Sequence, residues 1–150
     1  MKQRLNYAER FPKGIKGMLE IENYLRKSSL DPKLLELVKM RASQMNGCAY
    51  CLDMHSKDAR QMGETEQRLY VLNAWSEAPF YSDKEKAALE WTEALTYIHQ
   101  HTATDELYAQ VKTHFSDEEM MALTMAIVAI NGWNRISIGF ATEVGTYEPK

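Results

Sequence analysis

Signals that start and stop helices recur along the whole chain, whereas signals for strands are nearly absent. Asp31 followed by Pro32 is a favoured helix start, because the carboxylate caps free backbone N–H groups and proline fits the first helical position. Ser82 and Ser116 are each followed three residues later by a glutamate, which is the capping-box pattern. These signals predict an all-α fold.

The boundaries of the expected helices follow from these signals and from the 3.6-residue spacing of apolar side chains. We expect an irregular N-terminal arm over residues 1–13 and a single helical domain over residues 14–150. The predicted helices span residues 14–26, 32–46, 48–61, 65–75, 83–100, 105–114, 117–130 and 133–143, with a weak point or kink at 131–132 in the last pair. Counting that pair as one kinked helix, the chain is a bundle of about seven helices.

Length and charge narrow the possible function classes. A chain of 150 residues suits one domain, and a formal net charge of −3 argues against a nucleic-acid partner. No apolar stretch approaches the roughly 18 residues of a membrane-spanning helix, and the N-terminus lacks the apolar region of a secretion signal. We therefore expect a cytoplasmic protein with no membrane partner. In the cytoplasm, closely spaced cysteines are more often catalytic or metal-binding than structural.

The chain contains two cysteines, Cys48 and Cys51, and His55 follows four residues after the second. Residues three and four apart share a helix face, so the two thiols and the imidazole are predicted to form one row. Asn46 and Gly47 are typical of a helix end, which places Cys48 at the start of the next helix. A helix N-terminus and a nearby imidazole both lower the pKa of a thiol, so the row is suited to redox chemistry.

Distance from His55 distinguishes the two sulfurs. Cys51 lies one helical turn from His55 and Cys48 nearly two turns, so we predict that Cys51 attacks and Cys48 resolves. Oxidised Cys51 could condense with Cys48 to form a disulfide. Glu36, twelve residues before Cys48 on the preceding helix, could orient His55 and exchange protons with it. The simpler alternative is a solvated glutamate on a helix face.

Two other interpretations of the cysteine pair remain open. Cysteines are often buried as small apolar side chains that carry no chemistry. The spacing Cys-x2-Cys-x3-His also offers three ligands to a metal, although zinc then needs a fourth ligand or an open position. No second CxxC or paired histidine completes such a site, and we predict no bound metal or cofactor. The candidates for a fourth ligand are Glu36, His99, His101 and His114.

The pattern Glu-x11-Cys-x2-Cys-x3-His resembles the alkylhydroperoxidase D-like core of the carboxymuconolactone decarboxylase superfamily. Further similarity lies in the segments 36–39, 41–43, 46–51, 55–60, 63–64, 85–89 and 131–136, so the resemblance covers roughly residues 20–142. It implies an all-helical subunit that assembles into homo-trimers or homo-hexamers. It also implies a peroxidase that reduces small hydroperoxides with electrons from a dithiol or a protein reductant.

The resemblance implies a role for each residue of the pattern. Cys51 would form a sulfenic acid, Cys48 would donate a proton and then close the disulfide, and His55 and Glu36 would relay protons. Peroxidases of this type have a histidine immediately before the second cysteine, where this chain has Tyr50. Because the pKa of tyrosine is about 10, we expect a shorter relay or a lower rate.

A thiol-dependent peroxidase is therefore the function that the sequence favours. The decarboxylase branch of the superfamily lacks the cysteine pair, which speaks against lactone decarboxylation. Two alternatives remain open at this point. One is a redox-sensing or metal-binding module without peroxidase turnover, and the other is a disulfide reductase that serves a separate peroxidase.

Overall fold

The structure, a computed structural model, describes residues 3–149. Within that range the chain forms eight α-helices and no strand, which confirms the predicted all-α class. The helices are α1 (Tyr7–Arg10), α2 (Pro12–Arg26), α3 (Pro32–Asn46), α4 (Ala49–Gln61), α5 (Glu66–Tyr70), α6 (Asp83–Thr96), α7 (Asp105–Lys112) and α8 (Asp117–Phe140). Short 3-10 turns occupy Leu72–Ala74 and Ile98–Gln100.

Most helices begin where the capping residues predict. The Asp31 carboxylate accepts a hydrogen bond from the Lys33 backbone N–H at 2.8 Å, and Pro32 occupies the first helical position of α3. Ser82 and Ser116 both form complete capping boxes, at the starts of α6 and α8. Local hydrogen bonds of this kind are readable from sequence because both partners lie within one turn.

The N-terminal arm is irregular only in part, because α1 and the first two residues of α2 fall within it. The Asn6 side chain caps α1 by accepting a hydrogen bond from Glu9 N–H, and Pro12 rather than Gly14 begins α2. The backbone N–H of Arg4 donates to the Phe140 carbonyl at 2.8 Å, which fastens the arm to the end of α8. Met1 and Lys2 lie outside the described residues.

The kink predicted at residues 131–132 is absent, because α8 runs without interruption to Phe140. Asn131 stays helical while its side-chain amide donates to the Ile127 carbonyl at 2.9 Å. A Cβ at Gly132 would approach Met18 Cε to 2.8 Å, so glycine lets α2 pack closely against α8. Both residues that indicate a helix end in sequence contact other helices here, since Asn131 also accepts a hydrogen bond from Asn46 of α3 and donates one to Thr96 of α6.

Four predicted helices extend too far at their C-terminal ends, by two to five residues, and among them α8 ends at Phe140 rather than at residue 143. A 3-10 turn replaces the last predicted turn of α5 and of α6, and α7 ends at Lys112 rather than at residue 114. At the end of α6, the Tyr97 hydroxyl donates to the Met45 carbonyl at 3.1 Å. This tertiary contact fixes Tyr97, the residue that directly follows the last residue of α6.

Helix α3 forms the centre of the molecule and packs against α4, α6 and α8. Leu37, Val38 and Ala42 of α3 are fully buried. Burying such a leucine or valine side chain stabilises the fold by about 1.5–3 kcal/mol. Because α3 is central, several of its polar residues are shielded from water, and some of them face α4. No helix within residues 3–149 is long and apolar enough to span a bilayer.

Candidate active site

The two cysteines lie at the junction between α3 and α4. Gly47 ends α3 with a φ of 68°, a conformation that glycine adopts without steric cost, and Cys48 then caps α4. The Cys51 backbone N–H donates to Cys48 Sγ at 3.4 Å. The two sulfurs lie at disulfide-bonding distance, with Cα atoms 5.4 Å apart. Each cysteine is only 1% exposed.

His55 and Glu36 form a buried pair between α4 and α3. His55 Nδ1 lies 2.7 Å from Glu36 Oε2, and both residues are buried. Burial raises the pKa of the Glu36 carboxyl, but the hydrogen bond with His55 and the charges of His55 and Lys39 lower it more strongly. The pKa of Glu36 therefore lies below its ordinary value. An ionised Glu36 accepts from Nδ1–H and leaves Nε2 of His55 free to act as a base.

Glu36 is also held from its other side by groups that the sequence analysis did not identify. Lys39 Nζ lies 3.5 Å from Glu36 Oε1 and 3.2 Å from Glu22 Oε2. Trp133 Nε1–H donates to the other oxygen of Glu22 at 3.1 Å. Burial lowers the pKa of Lys39, but Glu36 and Glu22 outweigh it, so the pKa is raised and Lys39 stays charged. In the sequence, the pairing of Lys39 with Glu36 is indicated by their three-residue spacing on one helix face.

Cys51, His55 and Glu36 line one cavity of about 360 Å³, hereafter the Cys51 cavity. This volume falls in the range of small-molecule sites. Lys39 and Asp58 supply further polar groups on its wall. The apolar part of the wall is formed by Ile15, Leu19, Met54 and Trp133, and three tyrosines, Tyr7, Tyr50 and Tyr147, complete it.

The segment after α8 closes one side of the Cys51 cavity. The Tyr147 hydroxyl donates to Asp58 Oδ1 at 2.8 Å, and Lys57 Nζ donates to the Tyr147 carbonyl at 2.8 Å. Gly145 N–H donates to Asp53 Oδ2 at 3.1 Å. Burial and Asp58 raise the pKa of Tyr147, so its hydroxyl keeps its proton. Nothing in the local sequence around Tyr147 indicates this contact, since its partners are about 90 residues away.

Tyr50 stands beside the reacting groups and also keeps its proton. Burial, together with Tyr7 and Asp53, raises the pKa of Tyr50 above its ordinary value. Its hydroxyl is therefore a hydrogen-bond donor rather than a group that exchanges protons at neutral pH. The short relay that the sequence predicts contains His55 and Glu36, and the geometry places these two in direct contact.

A second cavity, of about 520 Å³, is lined by Cys48 and not by Cys51, and is hereafter called the Cys48 cavity. Gly47, Tyr50 and Ser137 contribute to its wall, as do residues that follow α8. Tyr50 and Ser137 line both cavities. Each cysteine is thus associated with a cavity of its own.

The residues that could hold a metal differ from those expected from sequence. Ligand atoms of Glu36, His55 and Asp58 lie within 4.8 Å of one another, and neither cysteine belongs to this group. The atoms already have partners in the protein, because Glu36 is paired with Lys39 and Asp58 accepts from Tyr147. This arrangement does not correspond to the Cys-x2-Cys-x3-His set considered above.

The fold and the site together define a class of protein. It is an all-α chain in which a CxxC pair lies beside a buried His–Glu pair, so thiol, imidazole and carboxylate groups share one region. The chain belongs to the carboxymuconolactone decarboxylase family, whose model matches residues 9–94. YdfG, an uncharacterised protein of Bacillus subtilis (strain 168), is 49% identical over 146 residues, which are 97% of this chain and 99% of YdfG.

Solved structures support the same assignment. A protein of unknown function from Agrobacterium tumefaciens, proposed to be the antioxidant defence protein AhpD, superposes with a TM-score of 0.92. The two chains are 42% identical over 97% of this chain and 100% of that one. An uncharacterised peroxidase-related protein from Ralstonia eutropha JMP134, with an alkylhydroperoxidase AhpD core, has a TM-score of 0.81. At 16% identity over 95% of this chain and 75% of that one, it shows the fold alone.

These comparisons confirm the resemblance to the alkylhydroperoxidase D-like core. The family and the cysteine pair at disulfide-bonding distance fit a peroxidase-related role.

Proposed function

We propose that this protein is a thiol-dependent peroxidase that reduces hydroperoxides through a Cys51 sulfenic acid and a Cys48–Cys51 disulfide. The observation that carries the proposal is that the buried residues Cys51, His55 and Glu36 line one cavity while Cys48 lies within disulfide reach of Cys51. The reaction needs no bound metal or organic cofactor, because sulfur supplies both electrons.

The first step is ionisation of Cys51. Glu36 accepts the Nδ1 proton of His55 and orients the ring, so Nε2 can take the proton of the Cys51 thiol. The start of α4 adds a favourable dipole for the anion of about 0.3–1 kcal/mol. Lys39 keeps Glu36 ionised throughout this step, because its charge is buried beside the carboxylate.

The second step is attack on the hydroperoxide in the Cys51 cavity. The thiolate attacks the terminal oxygen, so an S–O bond forms while the O–O bond breaks. The leaving alkoxide takes a proton from the His55 imidazolium, and the products are an alcohol and the Cys51 sulfenic acid. A hydroperoxide with an apolar organic part suits the wall of Ile15, Leu19 and Met54.

The third step closes the disulfide. Cys48 sulfur attacks Cys51 sulfur, the S–S bond forms, and the hydroxyl group leaves with the Cys48 proton as water. The Cα separation of 5.4 Å lies within the range that disulfides require, so the backbone need not move. A dithiol then reduces the disulfide and completes the cycle.

The test is peroxide consumption driven by a dithiol. We expect Cys51→Ser to abolish consumption, because it removes the nucleophile, and Cys48→Ser to reduce it strongly, because the sulfenic acid is no longer resolved. Ala109→Ser, on the exposed surface of α7, is the matched control and is expected to behave as the unmodified protein. Activity retained by Cys51→Ser would show that the nucleophile is wrongly assigned.

The same assay separates the alternative functions. Peroxide consumption that occurs only when a separate peroxidase is added would identify a disulfide reductase. Stoichiometric metal after purification without added metal, together with unreactive thiols, would identify a metal-binding module instead.

A further inference from the structure

Neither sulfur of the cysteine pair is accessible from the outer surface, since each cysteine is 1% exposed. Any molecule that reacts with the pair must therefore approach through a cavity. Each cysteine lines the cavity that is named after it and does not line the other cavity. The two cysteines of one disulfide thus adjoin two different cavities.

The two cavities also differ in chemistry. His55, Glu36 and Lys39 line the Cys51 cavity, which therefore has the groups that move protons. The wall of the Cys48 cavity consists largely of small and apolar residues, with Arg4 and Glu143 as its charged members. Groups suited to activating a peroxide are therefore concentrated on the Cys51 side.

The Cys48 cavity contains a polar group that no protein atom satisfies. Within residues 3–149, Thr142 Oγ1 is the buried side-chain oxygen without a hydrogen-bond partner, and Thr142 lines this cavity. A buried hydroxyl without a partner costs about 1–3 kcal/mol, and the fold bears this cost beside the Cys48 cavity.

We infer that the Cys48 cavity is the entry site for the thiol reductant, which attacks Cys48 Sγ, while the hydroperoxide enters through the Cys51 cavity. This inference rests on the proposed function and adds to it a separate binding site for the reducing substrate. At about 520 Å³, the cavity accommodates a small-molecule thiol or dithiol.

The exchange at Cys48 balances as follows. The donor thiolate attacks Cys48 sulfur, so a donor–Cys48 bond forms and the Cys48–Cys51 bond breaks, releasing Cys51 as a thiolate. The second donor thiol loses its proton and attacks the donor sulfur of the mixed disulfide, which releases the Cys48 thiolate. Two electrons pass from the donor to the protein, and the donor becomes its own disulfide.

Attack at Cys48 has a chemical advantage over attack at Cys51. Attack at Cys48 makes Cys51 the leaving sulfur, and Cys51 lines the cavity that also contains Lys39 and His55. The released Cys51 thiolate is then ready for the next hydroperoxide. Attack at Cys51 would instead leave the donor attached to the peroxide-reacting sulfur, inside the Cys51 cavity.

The site of attack can be located directly with the full-length protein. The Cys48–Cys51 disulfide is formed with diamide, treated briefly with the monothiol N-acetylcysteine, quenched with acid, alkylated with N-ethylmaleimide and analysed by peptide mass spectrometry. We expect N-acetylcysteine on Cys48 and N-ethylmaleimide on Cys51. The reverse distribution would overturn the inference.

A steric variant gives an independent test. Ile138 lines the Cys48 cavity and is 47% exposed, so Ile138→Trp should obstruct the entrance and slow disulfide reduction by dithiothreitol about tenfold. Ile138→Ala, which enlarges the cavity, should not slow it. Ile98→Trp, at an exposed site that lines neither cavity, is the matched control. Reduction of Ile138→Trp at the unmodified rate would contradict the inference.

Both experiments start from a chemically formed disulfide, so neither depends on peroxide turnover. Failure of the protein to consume peroxide would refute the proposed function while leaving the assignment of Cys48 intact. N-acetylcysteine found on Cys51 would refute the present inference while leaving the peroxidase proposal intact.

Discussion

Glu36 is the residue around which the candidate site is organised. Its two carboxylate oxygens have different partners, because Oε2 faces His55 and Oε1 faces Lys39. A buried carboxylate with one partner would be costly, whereas two partners offset the loss of water. The consequence for function is that Glu36 remains ionised and keeps the His55 ring in one orientation.

Replacing Lys39 is expected to change the pH dependence of the reaction. Lys39→Met removes a positive charge beside Glu36, so the pKa of Glu36 rises and the acidic limb of the peroxide-reaction pH profile moves to higher pH. Lys39→Arg keeps the charge and should shift the limb less. The measurement is the rate of Cys51 oxidation by stopped flow as a function of pH. An unchanged limb in Lys39→Met would show that Lys39 does not influence Glu36.

Glu36 should also make stability depend on pH. Folding lowers its pKa, so its contribution is fully present above the ordinary value of 4.5 and is lost as pH falls through the lowered pKa. Urea unfolding of the unmodified protein should therefore show a loss of stability in acid that Glu36→Gln shows less strongly. Equal acid sensitivity of the two proteins would mean that other carboxylates dominate. At neutral pH, the free energy of unfolding of the unmodified protein should exceed that of Glu36→Gln by about 1–3 kcal/mol.

At the scale of elements, the site depends on the turn between α3 and α4. Gly47 reverses the chain within one residue, and the Cys48 backbone N–H donates back to the Ser43 carbonyl at 3.0 Å. This turn places Cys48 at the start of α4 and sets α4 against α3. His55 thereby reaches Glu36 although 19 residues separate them in the chain.

Two glycine-to-alanine variants should have opposite effects on stability. Gly47 has a φ of 68°, so Gly47→Ala should destabilise the protein by about 1–2 kcal/mol. Gly17 lies inside α2 with open space around it, so Gly17→Ala should stabilise by about 0.5–1 kcal/mol. Urea unfolding measures both. A neutral or stabilising Gly47→Ala would mean that this turn tolerates another backbone conformation.

At the scale of the whole molecule, α8 combines a buried face with exposed apolar side chains. Ala126 and Ile127 are buried in the core, whereas Met121 and Val128 expose about half of their surface. Met121 and Val128 lie two turns apart on the same face of the helix. Exposed apolar side chains that share a face are typical of contacts between subunits.

The family resemblance implies a homo-trimer or homo-hexamer, and we propose that the exposed apolar face of α8 contributes to the contacts between its subunits. Val128→Asp places a charge on the exposed face of α8 and should shift the assembly toward monomers. Ile98→Asp, at a more exposed apolar position outside α8, should leave it unchanged. Sedimentation velocity measures the distribution. A monomer for the unmodified protein would contradict the expected assembly.

The sequence predicted those features whose causes lie within a few residues. Asp31 with Pro32 and the capping boxes at Ser82 and Ser116 act within a single turn, and all three start helices where expected. Cys51 and His55, four residues apart on α4, line one cavity in the same way, whereas Cys48, the residue that caps α4, lines the other. Glu36 was a candidate from its place on the preceding helix, with a solvated glutamate as the alternative, and the resemblance to a family then implied its role in the proton relay.

The tertiary structure decided what depends on distant contacts. Asn131 and Gly132 are typical of a helix end, yet α8 continues, and Asn131 forms hydrogen bonds to other helices while Gly132 lies close to Met18 of α2. Three further features likewise join distant parts of the chain. They are the pairing of Lys39 with Glu22, the closure of the Cys51 cavity by Tyr147, and the separate cavities of the two cysteines. Local sequence specifies conformation, because its interactions span one turn, whereas side chains from different helices meet only once the core has formed.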